Sequence, residues 1–370
     1  MEKRILITGG AGFIGSHLAD ELLAHGYEVR LLDNLTPQVH DTEGPPDYLS
    51  ADSELIEGDV RDAEAVGRAL EGVDAVVHLA ARVGVGQSMY ELTGYTDVNS
   101  LGTAVLLEAL VDRPVETLLV ASSMSVYGEG LYRTADGRLV PGERRPREQL
   151  ERGEWELEGP DGRTLEPMPT PESKPPSLSS IYALTKYDQE RLCLMFGSAY
   201  GIPATALRIF NTYGPRQALS NPYTGVLAIF ASRLLNEKAP FVYEDGRQRR
   251  DFVSVSDVAR ACRLVLESDR AAGQVLNIGS GQSWSVVEVA HKLAAVLGVE
   301  IEPELADKSR AGDIRHCFAD ISRARELLGY EPRVPLEAGL AELAEWLSGQ
   351  DAVDRVEAAT EELSSRGLTI

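Results

Sequence analysis

Thr8-Gly9-Gly10-Ala11-Gly12-Phe13-Ile14-Gly15 is the stretch that decides the fold. A short apolar run, Ile5–Thr8, precedes it and reads as a buried strand. Phe13–His25 follows and reads as a helix, with Gly26 as its stop signal. Glycine is needed where a backbone turns sharply and where it must approach a pyrophosphate closely. The helix that starts there offers free N–H groups and partial positive charge to an anion. Asp33, at the end of the next strand (Val29–Leu32), completes the spacing of a dinucleotide-binding fingerprint. Gly9, Gly12, Phe13, Ile14 and Gly15 are therefore expected to hold a cofactor's phosphates. A carboxylate at Asp33 accepts hydrogen bonds from adenosine ribose hydroxyls and repels a 2′-phosphate, so NAD is expected rather than NADP. Asp59 and Val60, after the third strand, are expected adenine contacts.

Working outward, Glu54–Ile56, Ala75–Leu79 and Thr117–Ala121 read as further strands, with helical patterns around Ala63–Leu70 and Asn99–Leu110. This alternation predicts an α/β fold, a Rossmann doubly wound parallel sheet with helices on both faces. Residues 131–178 hold eight of the 19 prolines and no sustained period. They read as a long, partly irregular surface insertion, either a variable loop or a cover that shapes the substrate pocket. Helical patterning resumes at Ser179–Tyr200. After Arg208 the elements become shorter and mixed; Asp251–Leu266 reads as strand and then helix. Ser285–Leu297 and Leu336–Leu347 are amphipathic, the latter with Leu336, Leu340, Leu343 and Leu347 in register. The expected organisation is a Rossmann domain over 1–211, to which 252–276 returns. A smaller, mixed α/β C-terminal substrate-binding domain covers 212–251 and 277–350, and an acidic tail, helical or frayed, covers 351–370. No internal repeat is found.

The 370 residues suffice for about two domains. A net charge of -22 argues against nucleic acid as a partner, although local arginines can still clamp phosphate inside an acidic protein. Cys193, Cys262 and Cys317 form no CxxC pair and no metal-ligand pattern; free thiols in a reducing cytoplasm are the simplest reading. The first ten residues are broken too early by glycine for a signal peptide, and no apolar run is long enough to span a membrane.

Tyr182-Ala183-Leu184-Thr185-Lys186 puts Tyr182 and Lys186 one helical turn apart on one face. A free phenol titrates near 10 and is a poor base at neutral pH. A neighbouring ammonium and a positive nicotinamide both favour the phenolate, so the expected trend is downward. Ser122-Ser123-Met124-Ser125 follows a buried strand whose end is a ligand-binding position. A serine hydroxyl there could share a hydrogen bond with Tyr182 and a substrate hydroxyl; chemistry alone does not select which serine.

These segments, with LLDNL, GDVRD, VVHLAA, LRIFNTYGP, RRDFVSVSDVA, NIGSG and LGYEP in the same order, resemble the extended short-chain dehydrogenase/reductase family. The resemblance is to its nucleotide-sugar epimerase/dehydratase branch and runs through nearly the whole chain. It implies that Ser123 is the catalytic serine beside Tyr182 and Lys186. It implies that Asn34, Leu79, Ala80, Ala81 and Asn99 contact NAD, while His78 reads better as a core histidine. It further implies that Ser123, Asn211, Arg250 and Arg310 hold a nucleotide-diphosphate sugar; guanidinium forks suit phosphate oxygens. In the family's 4,6-dehydratases an Asp-Glu pair follows the catalytic hydroxyl and eliminates water. Here Met124-Ser125 stands in its place, and the Glu of related decarboxylases is also missing. What the resemblance leaves is 4-epimerisation, with net alcohol oxidation or ketone reduction by a nucleotide-sugar dehydrogenase or ketoreductase as the alternative. A non-catalytic NAD-sensing protein is the remote alternative. VGVGQSMYE, YGEGLYR and YGPRQALSNPYTGVLAIFASRL resemble the dTDP-L-rhamnose 4-epimerase-like subgroup, which implies a dTDP-6-deoxyhexose; a UDP-hexose or UDP-uronate is the alternative. Some relatives of that subgroup carry cysteines in the insertion, and this chain has none there. The family pattern also implies a homodimer through the helices around Asn99–Leu110 and Ser179–Tyr200.

Overall fold

Strands buried on both faces must be apolar almost without interruption, and the Val-, Ile- and Leu-rich runs of this chain meet that requirement. The structure, a computed structural model, describes residues 3–40, 44–223, 225–350 and 352–370. Seven runs form one sheet: β1 (Arg4–Thr8), β2 (Glu28–Asp33), β3 (Glu54–Glu57), β4 (Ala75–His78), β5 (Thr117–Ser123), β6 (Ala204–Ile209) and β7 (Val275–Ile278). Their order is β7-β6-β5-β4-β1-β2-β3, parallel throughout. The order reverses between β1 and β4, which places a ligand crevice at the carboxyl ends of these strands. This is the expected Rossmann sheet.

The longer helices are α1 (Phe13–Ala24), α2 (Gly102–Asp112), α3 (Ile181–Tyr200), α4 (Val226–Leu235), α5 (Val255–Leu266), α6 (Val286–Leu297), α7 (Leu336–Leu347) and α8 (Val356–Ser365). Alternation along a strand sends successive side chains to opposite faces. Ile5 and Ile7 of β1 accordingly pack with Leu18 and Leu22 of α1 and with Val258, Cys262 and Val265 of α5. Leu6, between them, packs with Leu106 and Leu110 of α2 and Cys193 of α3 on the other face. A further core joins Leu227, Phe230 and Leu234 of α4, Val289 and Leu293 of α6, and Leu340, Leu343 and Leu347 of α7. Helix α6 begins in a capping box between Ser285 and Glu288 and stops at Gly298, whose φ of 69° is left-handed.

Three stretches gain local detail. The insertion is partly irregular and also holds a small sheet: Leu131–Arg133 pairs antiparallel with Leu139–Pro141 and with Glu166–Met168 around Tyr132, Leu157 and Leu165. Pro141 ends one of these strands and Pro167 lies in another that is an edge of the small sheet, where a missing N–H costs little. The helix expected at Asn99 is a π-turn over Thr96–Leu101 that passes into α2. The tail, apart from position 351, which lies outside the described residues, is docked: Val356, Ala359 and Leu363 of α8 are buried, and residues 368–370 exchange backbone hydrogen bonds with Ser309 and Ala311.

Candidate active site

A cavity of about 870 Å³ runs from the glycine turn, past the ends of β1, β4 and β5, to α4, the start of α6, and α8. Gly9, Gly12, Phe13, Ile14, Gly15, Asp33, Asn34, Asp59, Val60, Leu79, Ala80 and Ala81 line its first half. Gly9 has φ of 69°, and a Cβ there would stand 2.9 Å from the Ala80 backbone. A Cβ at Gly15 would strike the Gly9 carbonyl. The turn is thus compressed until its backbone forms the cavity floor. The first turn of α1 has no side-chain cap and no acidic residue, so its N–H groups and dipole are left for an anion. The Asp33 carboxylate accepts from Ala11 N and Leu35 N, each at 3.0 Å, and locks the glycine turn to the end of β2. Asn34 donates to Asp59 at 3.0 Å, and hydrogen bonds from Arg61 hold the Asp59 carboxyl down to about 2. A dinucleotide fits this half: an uncapped helix end for phosphates and a carboxylate beyond it for a ribose.

Asn99 does not face the cavity. The π-turn points its amide inward, where it accepts from Arg82 N at 2.7 Å and donates to Thr185 Oγ1 at 2.9 Å. It braces the Ala81–Arg82 segment against α3, so its expected direct cofactor contact is corrected to support of that wall. His78 is a core histidine: it lies between Thr8 Oγ1 at 2.7 Å and Thr103 Oγ1 at 2.8 Å, and burial lowers it to about 3, which keeps it neutral.

Ser123 ends β5, while Tyr182 and Lys186 occupy the first turns of α3, which Ser180 caps through Ala183 N. All three side chains line the same cavity. Ser123 stands beside the Tyr182 phenol and favours its ionised form. Ser123 Oγ also accepts from Ser125 Oγ at 2.9 Å. Tyr182 N donates to Ser88 Oγ at 3.0 Å, and its ring stands edge-on to Tyr95. Lys186 donates to Gln189 Oε1 at 2.6 Å; Gln189 in turn reaches Thr103 and the Ala80 carbonyl. Burial raises the Tyr182 phenol above its ordinary value, against the influence of Ser123, and burial lowers Lys186 to about 8. The expected lowering of the phenol by Lys186 therefore does not come from the protein's own groups: desolvation outweighs it, and the lysine is turned toward Gln189.

The far half carries Asn211, Arg250 and Arg310. Arg250 spends Nη1 on the carbonyls of Arg249 and Arg315, both at 2.9 Å, and Nη2 on that of Ile314. Arg310 pairs with Asp313 and lies over the Tyr243 ring at 4.3 Å. Buried Asn211 Oδ1, Gln217 Oε1 and Gln248 Oε1 lack hydrogen-bond partners among the described residues, and all three residues line the cavity. Polar atoms orphaned in this way suit a ligand rich in donors. Gln189, Gln217, Tyr243, Gln248 and the α8 face were not singled out from the sequence. Gln189 alone had a local signal, one turn beyond Lys186 on the same helix; the others arrive through long-range packing.

A family profile described as the NAD dependent epimerase/dehydratase family matches residues 5–149 and 159–279. A dTDP-L-rhamnose 4-epimerase of Burkholderia thailandensis is 40% identical over 351 residues, 94% of this chain and 95% of that protein. A UDP-glucose 4-epimerase of Thermotoga maritima, solved with UDP-glucose, superimposes with a TM-score of 0.77 at 32% identity, covering 93% of this chain and 98% of that one. A UDP-glucose 4-epimerase of Thermus thermophilus, solved with NAD, gives 0.74 at 32% identity, covering 94% and 99%.

Proposed function

Because the chain belongs to the NAD-dependent epimerase/dehydratase family, we propose that it is a nucleotide-sugar 4-epimerase whose substrate is a dTDP-6-deoxyhexose such as dTDP-L-rhamnose. The family includes several reactions, so the decision rests on one observation. The turn after Ser123 is Met124-Ser125, with Met124 buried and Ser125 hydrogen-bonded to Ser123, and it carries no acid to drive elimination or decarboxylation. The 40% identical relative named for dTDP-L-rhamnose supports the choice of sugar.

Bound NAD supplies the acceptor and donor of the C4 hydride and a positive ring near the phenol. Tyr182 takes the proton of the C4 hydroxyl and later returns it. Ser123 bridges that hydroxyl and the phenol, which orders the proton path. Lys186, held by Gln189, supplies positive charge and a donor at the cavity floor. Arg250 and Arg310 hold the diphosphate. The orphaned amides of Asn211 and Gln217 offer hydrogen bonds to a sugar in either of two orientations, which a 4-epimerase needs when the 4-keto sugar turns between oxidation and reduction.

A homodimer belongs to the same reading. Leu101 on the π-turn and Leu184 and Met195 on one face of α3 are exposed apolar residues that a second copy would cover. Sedimentation is expected to give a dimer, and a monomer at all concentrations would remove this element. Three buried free thiols support a reducing, cytoplasmic setting. Incubation with dTDP-L-rhamnose, with products resolved by C4 configuration, tests the whole. Loss of water or carbon dioxide, or a sustained net change in nicotinamide absorbance, would overturn it.

A further inference from the structure

Helix α8 lies along the substrate half of the cavity, and its contacts give its direction. Thr360 Oγ1 stands 3.5 Å from the hydroxyl of Tyr243, the ring beneath Arg310, which marks the nucleotide end. Three residues on, Leu363 packs over Gly86 so closely that a Cβ there would lie 3.3 Å from its Cδ1. Gly86 belongs to the short helix Val85–Ser88, and Ser88 Oγ accepts from Tyr182 N at 3.0 Å. Leu363 therefore marks the sugar end. Val356, Ala359 and Leu363, spaced three and four residues apart, form one buried stripe, and all three line the cavity, as does Val85.

The helix is held from several sides. Backbone hydrogen bonds pair Ser309 with Ile370 and Ala311 with Leu368, around Arg310 itself. Arg366 lies 4.4 Å over the Tyr90 ring, and Tyr90 bonds Tyr223 at 2.7 Å. Asp354 accepts from Arg233 and Lys238. The last nineteen residues are thus a fixed wall.

We propose that residues 352–370 form the specificity wall of the sugar pocket, and that Leu363 selects a hexose whose C6 is a methyl group. The proposal rests on the 4-epimerase reading and names the feature of the sugar that the pocket recognises. A C6 hydroxyl against Leu363 and Val85 would leave water without gaining a partner. An apolar wall of this kind discriminates by roughly 10- to 200-fold.

The test compares dTDP-L-rhamnose with dTDP-L-mannose, which differs by the C6 hydroxyl. Wild type is expected to prefer the former in kcat/KM, and Leu363→Ser to reduce that preference about tenfold. Leu363→Thr serves as a second, milder variant should the first fail to fold, and Leu363→Met is expected to keep the preference. Affinities measured by calorimetry in the Tyr182→Phe background give the same ratio without turnover. A ratio unchanged in the serine and threonine variants, or an equal loss for both sugars, overturns the wall. Absence of C4 turnover in wild type with either sugar overturns the 4-epimerase reading instead, and the affinity ratio still decides the wall.

Discussion

Ser125 Oγ donates to Ser123 Oγ at 2.9 Å, so the hydroxyl that shares the cavity with the Tyr182 phenol is itself oriented by its neighbour two residues on. Position 125 carries a hydroxyl that orients its neighbour, and no acid. Ser125→Ala is expected to lower kcat about tenfold with little change in KM, the worth of one buried hydrogen bond felt in the transition state. Ser123→Ala should cost more, because that hydroxyl also reaches the substrate. Steady-state kinetics of the two variants check the order; equal losses would remove the positioning role.

Tyr182→Phe removes the proton acceptor and leaves the ring against Tyr95. A loss of about 10²–10⁴-fold in turnover is expected, with NAD content and thermal midpoint near those of wild type. Burial raises the phenol, and Tyr182 and Lys186 are the titratable side chains that the cavity presents beside Ser123. A variant that kept a tenth of wild-type activity would show that another group moves the proton.

Gly15→Ala places a Cβ against the Gly9 carbonyl at the turn that forms the cavity floor. The backbone must open there, and the N–H groups at the start of α1 lose their aim. NAD is expected to be lost on purification, read as a lower absorbance at 260 nm relative to 280 nm, with epimerisation restored only in part by added cofactor. Gly26→Ala is a contrasting control: a Cβ there meets nothing within 4 Å, and only its φ of 81° is strained.

These contrasts explain what the sequence could carry. Gly9, Gly12 and Gly15, Asp33, and the pair Tyr182 and Lys186 are local patterns, since each spacing is set by one turn or one helix, and all of them line one cavity. Asn99 misleads because a single π-turn, invisible in composition, rotates its amide from the cavity to Arg82 and Thr185. The tail reads as acidic and marginal because Glu357, Glu361 and Glu362 dominate it; Leu363 meets Gly86, far away in the chain, and Val356 and Ala359 share its cavity. The insertion has the same difficulty, since its order depends on charges supplied by later segments.

Those charges give the last expectation. Arg315, fully buried, bonds Glu156 of the insertion together with Glu244 and Asp245, while Glu129 accepts from the backbone of Arg315 and His316. Burial pushes Glu156 up, but hydrogen bonds from His316 and Arg315 outweigh it and hold the carboxyl down to about 2, against 4.5 for the free group. A carboxyl lowered on folding contributes stability that is fully present above about 4.5 and is lost as pH falls toward about 2. Glu156 is partly open to solvent, so the contribution is on the order of 1 kcal/mol after screening. It acts at the joint between the insertion and the segments that carry Glu244, Asp245 and Arg315. The segment 131–178 is therefore expected to loosen before the Rossmann sheet on acidification, seen as pepsin cleavage within it between about pH 4.5 and 2. Glu156→Gln should raise cleavage of the segment at neutral pH about fivefold, the equivalent of about 1 kcal/mol, read there with a protease active at pH 7, and flatten its pH dependence. Cleavage that begins in β1–β5, or a variant with an unchanged acid profile, would show that the network does not hold the insertion.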